Sequence, residues 1–293
     1  MGNSSSTSSL PRPPRLGKPK TKRGKKVKSQ KIDIANKTGI LSLQGLKLKQ
    51  IPPDTFQLNK LKTLDCSGNN IISYPEEIQN LTMLKSLKFD RNNLTSLPHL
   101  EGLTRLTILS VAGNRLDDES HCALPQSLQQ LCLAQNALTR IPTGLALLGQ
   151  VQTLDLSGCQ FTRFPHPMVG MGSLSELILD DNAIETISSD IIHFLSLEIL
   201  SLKRNRFRAR TAAGQQSIAK EVFSETDIKR LHLDGNPLTQ GELLEMEGFD
   251  VFLERRKKTQ AERITGWPYK FQSVRTGLIW HFRTEANSLA LLL

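Results

Sequence analysis

Aromatic residues are scarce in this chain: 11 Phe, 2 Trp and 2 Tyr make up 5% of its 293 residues. The apolar fraction is also modest, at 38%. This composition argues against a compact core built around large rings, which dominate the packing of many globular cores. The length is enough for one large domain or two modest ones. Leucine is the apolar residue that recurs, and its regular spacing points to a different kind of core.

Cysteine is also rare, and the chain holds four: Cys66, Cys122, Cys132 and Cys159. No two of them form a CxxC pair, and no histidine spacing completes a zinc site, so we expect neither a metal nor another cofactor. The N-terminus lacks the apolar stretch of a secretory signal. No apolar run approaches the roughly 18 residues that span a bilayer. A reducing, cytoplasmic location fits this pattern best.

Acidic residues are absent from residues 1–31, which hold ten Lys and Arg. Residues 254–293 carry a further excess of basic residues, so the net charge of +10 belongs to the two ends of the chain. The stretch 32–253 holds 20 basic and 25 acidic residues. This central stretch has no excess of positive charge with which to bind a polyanion, and we do not expect nucleic acid to be its partner.

Eight segments share the pattern L-x-x-L-x-L-x-x-N-x-L, among them LKTLDCSGNNI, LQQLCLAQNAL and LEILSLKRNRF. The second leucine of each lies at Leu64, Leu87, Leu109, Leu131, Leu154, Leu177, Leu200 and Leu231. Successive positions are 22 or 23 residues apart, except the last, which follows after 31. A degenerate copy, ILSLQGLKLKQIP, places Leu41 a further 23 residues upstream. This fixed period indicates a repeat architecture of nine coils, a coil being one turn of the repeat.

The alternation around the second leucine has a period of two, which predicts a short strand whose leucines face inward. The Asn that follows, as in Asn69, Asn92 and Asn136, can bond backbone groups where the strand ladder ends. Leu46 takes that position in the first coil and Cys159 in another. Beyond it, a proline and apolar residues at about three-residue spacing predict short α- or 3₁₀-helices. No coil can bury its leucines alone, so the coils must stack.

These segments resemble the leucine-rich repeat family, and the resemblance covers about residues 40–240. It implies an α/β solenoid, in which parallel short strands line a concave face and short helical or 3₁₀ segments line the convex face. Such solenoids use the extended concave surface for binding. The resemblance therefore implies an interaction module, and we expect it to act as a monomer.

The two open ends of the stack require covers. KIDIANKTG precedes the first coil, and GELLEMEGFDVFLERRKK follows the last one as a helical cap. We therefore divide the chain into a disordered Ser-rich and polybasic segment (1–31), a leucine-rich repeat domain with its caps (32–258) and an irregular C-terminal tail (259–293). The longer final link, 206–227, is predicted to be a helix with a loop on the convex side. It is either a binding loop or a tolerated insertion.

The chain begins MGNSSS, which matches the N-myristoylation pattern M-G-x-x-x-[ST] with Gly2 as the lipid acceptor. One myristoyl chain binds a membrane only marginally, and a polybasic run can supply the second signal at an anionic surface. The nominated membrane-binding residues are Lys18, Lys20, Lys22, Arg23, Lys25, Lys26 and Lys28. The same tract, KTKRGKKVK, also fits a nuclear localisation or RNA-contact signal, or a solvated tail without a partner. We expect a lipid anchor at the cytosolic face of a membrane, with a nuclear location as the alternative.

The strand residues beside the inward leucines are predicted to face the concave side. Cys132 and His232 are the only tempting nucleophile and base among them, but four coils separate them, which is about 19 Å by strand spacing. A catalytic base must lie within about 3 Å of its partner, so we expect no enzyme activity. The nominated partner-binding residues are Lys88, Asp90, Asp155, Asp180, Lys203, Arg204, His232 and Asp234.

The sequence thus predicts a non-catalytic protein-binding scaffold held near a membrane. A partner would lie on the small, uncharged middle of the concave face, while charged residues at the two ends fix its register. A nuclear or RNA-associated adaptor directed by the basic tract is the alternative. A regulatory subunit in a phosphatase or GTPase pathway is a further one, which rests on family analogy alone.

Overall fold

The computed structural model describes residues 22–97, 99–119, 123–166 and 171–265. Nine three-residue strands form one parallel sheet in chain order. Their registers pair the central leucines, from Leu41 opposite Leu64 to Leu200 opposite Leu231. The strands are β1 (Ile40–Ser42), β2 (Thr63–Asp65), β3 (Ser86–Lys88), β4 (Ile108–Ser110), β5 (Gln130–Cys132), β6 (Thr153–Asp155), β7 (Glu176–Ile178), β8 (Ile199–Ser201) and β9 (Arg230–His232). The predicted α/β solenoid of nine coils is confirmed.

Among the described residues, short helices return the chain to the next strand after β1, β2, β5, β7 and β8. The four α-helices are α1 (Lys22–Thr38), α2 (Lys220–Ser224), α3 (Gln240–Leu244) and α4 (Phe249–Thr265), and the 3₁₀-helices are η1 (Pro53–Gln57), η2 (Glu76–Asn80), η3 (Thr143–Leu147) and η4 (Ser189–His193). Three of the 3₁₀-helices follow a proline at the N-cap position, Pro52, Pro75 and Pro142. Proline fixes φ near the helical value and donates no hydrogen bond, which suits a helix start.

Both ends of the stack are covered by helices. Ala35 of α1 is buried against the first coil, and Phe249 and Phe252 of α4 pack around Phe223 of α2. The boundary expected at residue 32 lies inside α1, so the segment expected to be disordered, 1–31, has its last ten residues in a helix. The boundary expected at residue 258 lies inside α4. Residues 1–21 and 266–293 lie outside the described residues.

Along the stack the core is dominated by a continuous column of leucines, and phenylalanines cluster in the C-terminal cap. The central leucines of the nine strands are at most 1% exposed. Burying one such side chain contributes about 1.5–3 kcal/mol, but only when the next coil covers it. Stability is therefore shared between neighbouring coils, as in other solenoids.

A ladder of asparagine side chains joins the coils at the end of the strands. Asn136 shows the pattern: its Oδ1 accepts from the backbone N–H of Leu116 at 3.0 Å, and its Nδ2 donates to the carbonyls of Val111 and Leu133 at 3.1 and 2.8 Å. The same three kinds of bond recur at Asn69, Asn92, Asn114, Asn182 and Asn236. Cys159 stands in this column, and its Sγ donates to the Leu133 carbonyl over 3.6 Å. Each Asn thus satisfies buried backbone groups of two coils.

The long final link adds a hairpin and a helix without disturbing the stack. Ile187 pairs in parallel with Ile218, a step of 31 residues, so the eight residues beyond the usual 23 lie between Ala209 and Ile218. They fold into a small hairpin in which Arg210 pairs antiparallel with Gln216. The predicted helix is present as α2, which contacts η4 and α4. In chain order the hairpin lies between the Asn turn of the eighth coil and α2, a part of the solenoid that we call the flank.

Replacing Asn136 with Ala should lower the free energy of unfolding by about 3 kcal/mol, because buried backbone groups of two coils lose a partner. Cys159→Asn should act in the opposite direction and raise it by about 1 kcal/mol, because the amide of an Asn accepts and donates stronger hydrogen bonds to the backbone than the thiol does, which is only a weak donor and a weak acceptor. Urea denaturation followed by circular dichroism measures both changes. A neutral Asn136→Ala variant would contradict the ladder as a source of stability.

Candidate functional site: the concave sheet

The concave face is built from three columns of residues. In each strand the residues on either side of the buried leucine share one face; Thr63 and Asp65, which flank Leu64, are half-buried. The residue two positions further on, such as Ser67, continues that face. The concave residues predicted from the sequence lie in the second and third columns. The first column was missed, and it consists of Ile40, Thr63, Ser86, Ile108, Gln130, Thr153, Glu176, Ile199 and Arg230. The period of two, applied on both sides of the central leucine, would have identified this first column.

Two of the nominated aspartates, Asp90 and Asp180, accept hydrogen bonds from the backbone of the next coil. Asp90 Oδ1 accepts from the Ala112 N–H of the next coil at 2.9 Å and from the Ser110 hydroxyl. Asp180 Oδ1 does the same with the Lys203 N–H, at 2.9 Å, and the Ser201 hydroxyl, at 2.6 Å. These carboxylates therefore tie adjacent coils together while they carry negative charge on the face.

Asp155 has a more local role. Its Oδ1 accepts from the backbone N–H and the hydroxyl of Ser157, at 3.0 and 2.6 Å. Its Oδ2 accepts from the Sγ of Cys132 on the preceding strand at 3.4 Å. The Asp155 carboxylate thus stabilises the turn at Ser157 and fixes the position of the Cys132 thiol in the middle of the face.

Lys203, His232 and Asp234 meet at the C-terminal end of the sheet. Lys203 Nζ lies 3.9 Å from Asp234 Oδ2. Burial, with the nearby Lys203 ammonium, lowers the pKa of His232 below its ordinary value, so this imidazole is neutral at pH 7. Lys88 and Asp90, on and after β3, are five strands from β8, or about 24 Å. Apart from Asp155, which lies on β6 in the middle of the face, the nominated residues therefore form two charged groups, one toward each end of the sheet.

Arg204 lies at the rim of the sheet. Its backbone has φ of 51°, and its Cγ leans over the next coil, where a Cβ added to Gly235 would lie only 2.8 Å away. Two of its guanidinium nitrogens donate to the carboxylate of Asp181 on the preceding coil, each over 2.5 Å. This pairing lowers the pKa of Asp181. Arg204 is thus engaged within the protein, unlike exposed Lys88.

The middle of the concave face is small and weakly polar. Ser110, Ala112, Cys132 and Ala134 follow one another across two coils, and all are at least partly buried. A surface of such short side chains lets a partner's backbone approach the sheet closely. Ile178 and Ile199 add half-buried apolar contacts toward the C-terminal end.

The chemistry of this face is that of a binding surface. Burial, with the neighbouring Asp155 carboxylate, raises the pKa of the Cys132 thiol to about 11, so it is protonated at neutral pH. Its strand is four strands from that of His232, about 19 Å. Across the described part of the chain, no group of three or more His, Cys, Asp or Glu could hold a metal ion. None of the helices described is long and apolar enough to cross a membrane.

The repeat pattern has known relatives. The family model for the Leucine Rich Repeat matches residues 60–81 and 150–171. Transforming growth factor beta activator LRRC32 of Pongo abelii is 27% identical over 203 residues, which covers 68% of this chain and 28% of that protein. The chain thus spans little more than a quarter of the length of this curated relative.

Solved structures share the fold. An LRR protein of Leptospira interrogans superposes with a TM-score of 0.53 and 26% identity, covering 66% of this chain and 54% of that one. A structure of the Toll–Spatzle complex of Drosophila superposes with a TM-score of 0.56 and 24% identity. The match covers 73% of this chain and 28% of that one. The Toll match shows a shared fold alone. The family model and the LRRC32 relative support membership of the leucine-rich repeat family, whose members are typically protein-binding scaffolds.

Cys132 should be poorly reactive. The thiolate is the nucleophile, so raising the pKa from 9.0 to about 11 should slow its alkylation at neutral pH about 100-fold. Iodoacetamide labelling with peptide mass mapping gives the rate. Asp155→Asn removes a charge that raises this pKa and should speed labelling of Cys132, whereas Asp65→Asn, next to Cys66, should not. Labelling of Cys132 as fast as a free thiol would contradict the burial argument.

Proposed function

We propose that this protein is a non-catalytic scaffold whose concave face binds another protein. The observation that carries the proposal is the continuous open face of nine parallel strands, with a small-residue middle between two charged groups. Its partner is proposed to lie across Ser110, Ala112, Cys132 and Ala134.

Two features favour a protein partner. Half-buried Ile178 and Ile199 offer apolar area next to the small middle, as the centres of protein interfaces do. Lys88 at one end and the Lys203–Asp234 pair at the other present both signs of charge, which can fix the register of a bound segment. Asp90, Asp155 and Asp180 are already hydrogen bonded, so we assign them to the shape and charge of the face.

Within the family, two segments are similar to leucine-rich repeat-containing protein 57: NKTGILSLQGLKLKQIP at the first coil and MEGFDVFLER in the cap. The basic segment before Ile32 and the tail after Lys258 depart from that pattern. The similarity supports a small interaction module that carries a lipid-acceptor glycine; the partner has to come from experiment.

Charge reversal on the concave face should weaken partner capture. The double variant Lys88→Glu and Lys203→Glu should capture at least roughly tenfold less of the proteins that the unsubstituted chain captures. Both ends of the face would then repel the partner groups that fix the register. Quantitative mass spectrometry of material captured from lysate measures the loss. Arg163→Glu, an exposed charge on the flank, is the control.

Equal capture by the concave and the flank variants would sink the concave-face proposal. Urea denaturation of each variant checks that a loss of capture comes from the surface and not from unfolding, since Lys203 also lies beside Asp234.

We further propose that Gly2 is myristoylated and that the basic tract adds the second membrane signal. Gly2, Lys18 and Lys20 lie outside the described residues; Lys22, Arg23, Lys25, Lys26 and Lys28 belong to α1. Ten basic residues near an anionic leaflet, at about 1 kcal/mol each, can make up for the marginal affinity of one acyl chain. The nuclear alternative rests on the same tract, KTKRGKKVK.

Gly2→Ala should move the protein from the membrane to the soluble fraction, because the acceptor amine is no longer recognised. The triple variant Lys25→Gln, Lys26→Gln and Lys28→Gln should weaken membrane association while leaving the lipid in place. Cell fractionation and imaging measure both effects. If wild type and Gly2→Ala are equally soluble, the anchor is excluded, and nuclear accumulation that depends on the lysines would favour the alternative.

A further inference from the structure

Three arginines project from the flank of the eighth coil, beside the hairpin of the long link. Phe207 is fully buried, and Arg206 and Arg208 on either side of it are exposed. The backbone beneath them is fixed, because the Arg206 N–H donates to the Ile184 carbonyl and the Phe207 N–H to Asn236 Oδ1. The side chains of Arg206 and Arg208 thus extend from a fixed backbone on the same side of the chain.

The hairpin adds the third arginine. Arg210 pairs with Gln216 across the hairpin, and its Nη1 donates to the Gly214 carbonyl at 2.9 Å. Gly214 has φ of 78°, a value that favours glycine at the turn. One of the five donor positions of Arg210 holds the turn, and the fork geometry of its guanidinium leaves others to point outward.

The arginines line a groove with a volume of about 740 Å³. Glu185, Thr211, Ala212 and Pro237 complete its walls, and Glu185 is the only acid that lines it. Arg140 and Arg204 elsewhere on the molecule form salt bridges with nearby carboxylates. Within the described ranges, no salt bridge involves Arg206, Arg208 or Arg210. Three arginines and one carboxylate therefore line the groove, which has an excess of two positive charges on a body, 32–253, that is acidic as a whole.

We propose that this groove binds a peptide that carries a phosphorylated serine or threonine. Planar guanidinium forks match the oxygens of a phosphate dianion, and Arg clusters are a recurring means of phosphopeptide recognition. A single carboxylate offers less charge to three arginines than a phosphate does. The groove is also larger than a phosphate group alone requires, which leaves room for the residues on either side of it.

Other anionic partners fit the groove less well. No aromatic side chain lines it, so it lacks the stacking platform that single-stranded nucleic acids use. The basic tract proposed to bind a membrane precedes the first coil, at the opposite end of the stack from the eighth coil. The site lies on the flank and is independent of the concave-face proposal.

Fluorescence anisotropy tests the site with the full chain and a labelled pool of peptides, each with one phosphoserine in an otherwise degenerate sequence. Loss of charge-assisted hydrogen bonds should weaken binding about tenfold for each of Arg206→Gln and Arg208→Gln. Arg208→Lys keeps the charge but loses the fork, and should also weaken binding. Arg115→Gln is the matched control, because Arg115 is exposed and stands in the same repeat position as Arg206, four coils earlier.

The comparison with Arg115→Gln removes any contribution of the N-terminal basic tract, which all variants keep. An unphosphorylated pool and a pool with Glu in place of phosphoserine should bind at least tenfold more weakly. Equal binding of the phosphorylated and Glu pools would overturn phosphate recognition. Equal losses from the Arg206→Gln and Arg115→Gln substitutions would overturn the site.

Two further arms separate the sources of phosphate. Inorganic phosphate should compete with the peptide only at far higher concentration. Vesicles of phosphatidylcholine with a phosphoinositide should show no loss of binding in the Arg206→Gln, Arg208→Gln double variant. If vesicle binding falls in that variant while peptide binding does not, the groove is a lipid site and the proposal is wrong.

Discussion

Everything in this protein depends on the burial of each coil's leucines by the next coil. A three-residue strand has too little surface to be stable alone, and its hydrogen bonds are completed only by parallel neighbours. The asparagine ladder belongs to the same constraint, because it satisfies backbone groups that the short strands leave open. The single side chain of Asn136 hydrogen bonds to the backbones of two coils. Packing and polar satisfaction thus act in the same direction, coil by coil.

The burial of the leucines decides which strand positions can hold functional side chains. Side chains that alternate with the leucines face the concave side and are free to vary, because none of them is needed in the core. Asp90 and Asp180 show that this freedom is partial, since each also bridges to the next coil. The face is therefore rigid, which reduces the entropy lost when a partner binds. The same rigidity keeps Cys132 and His232 far apart and makes catalysis between them impossible.

The long link shows how a solenoid accommodates an addition. The chain leaves the repeat after Ala209 and rejoins it at Ile218, so the register of β8 and β9 is unaffected. Loop closure of a few extra residues costs little, and the hairpin can therefore diverge in sequence without loss of fold. This separation lets Arg210 join Arg206 and Arg208 at one groove.

Much of the fold follows from local sequence. The period of 22 or 23 residues, the paired leucines and the Asn column determine the number of coils, the strand positions and their register, because each depends on neighbours along the chain. The sequence also identified most concave residues, though Thr63, Glu176 and the rest of the first column needed the period of two to be applied on both sides of the leucine. Only the tertiary structure decided which nominated charges meet. It paired Arg204 with Asp181 and folded the final insertion into a hairpin, because those contacts depend on side-chain and loop conformations that no single repeat encodes.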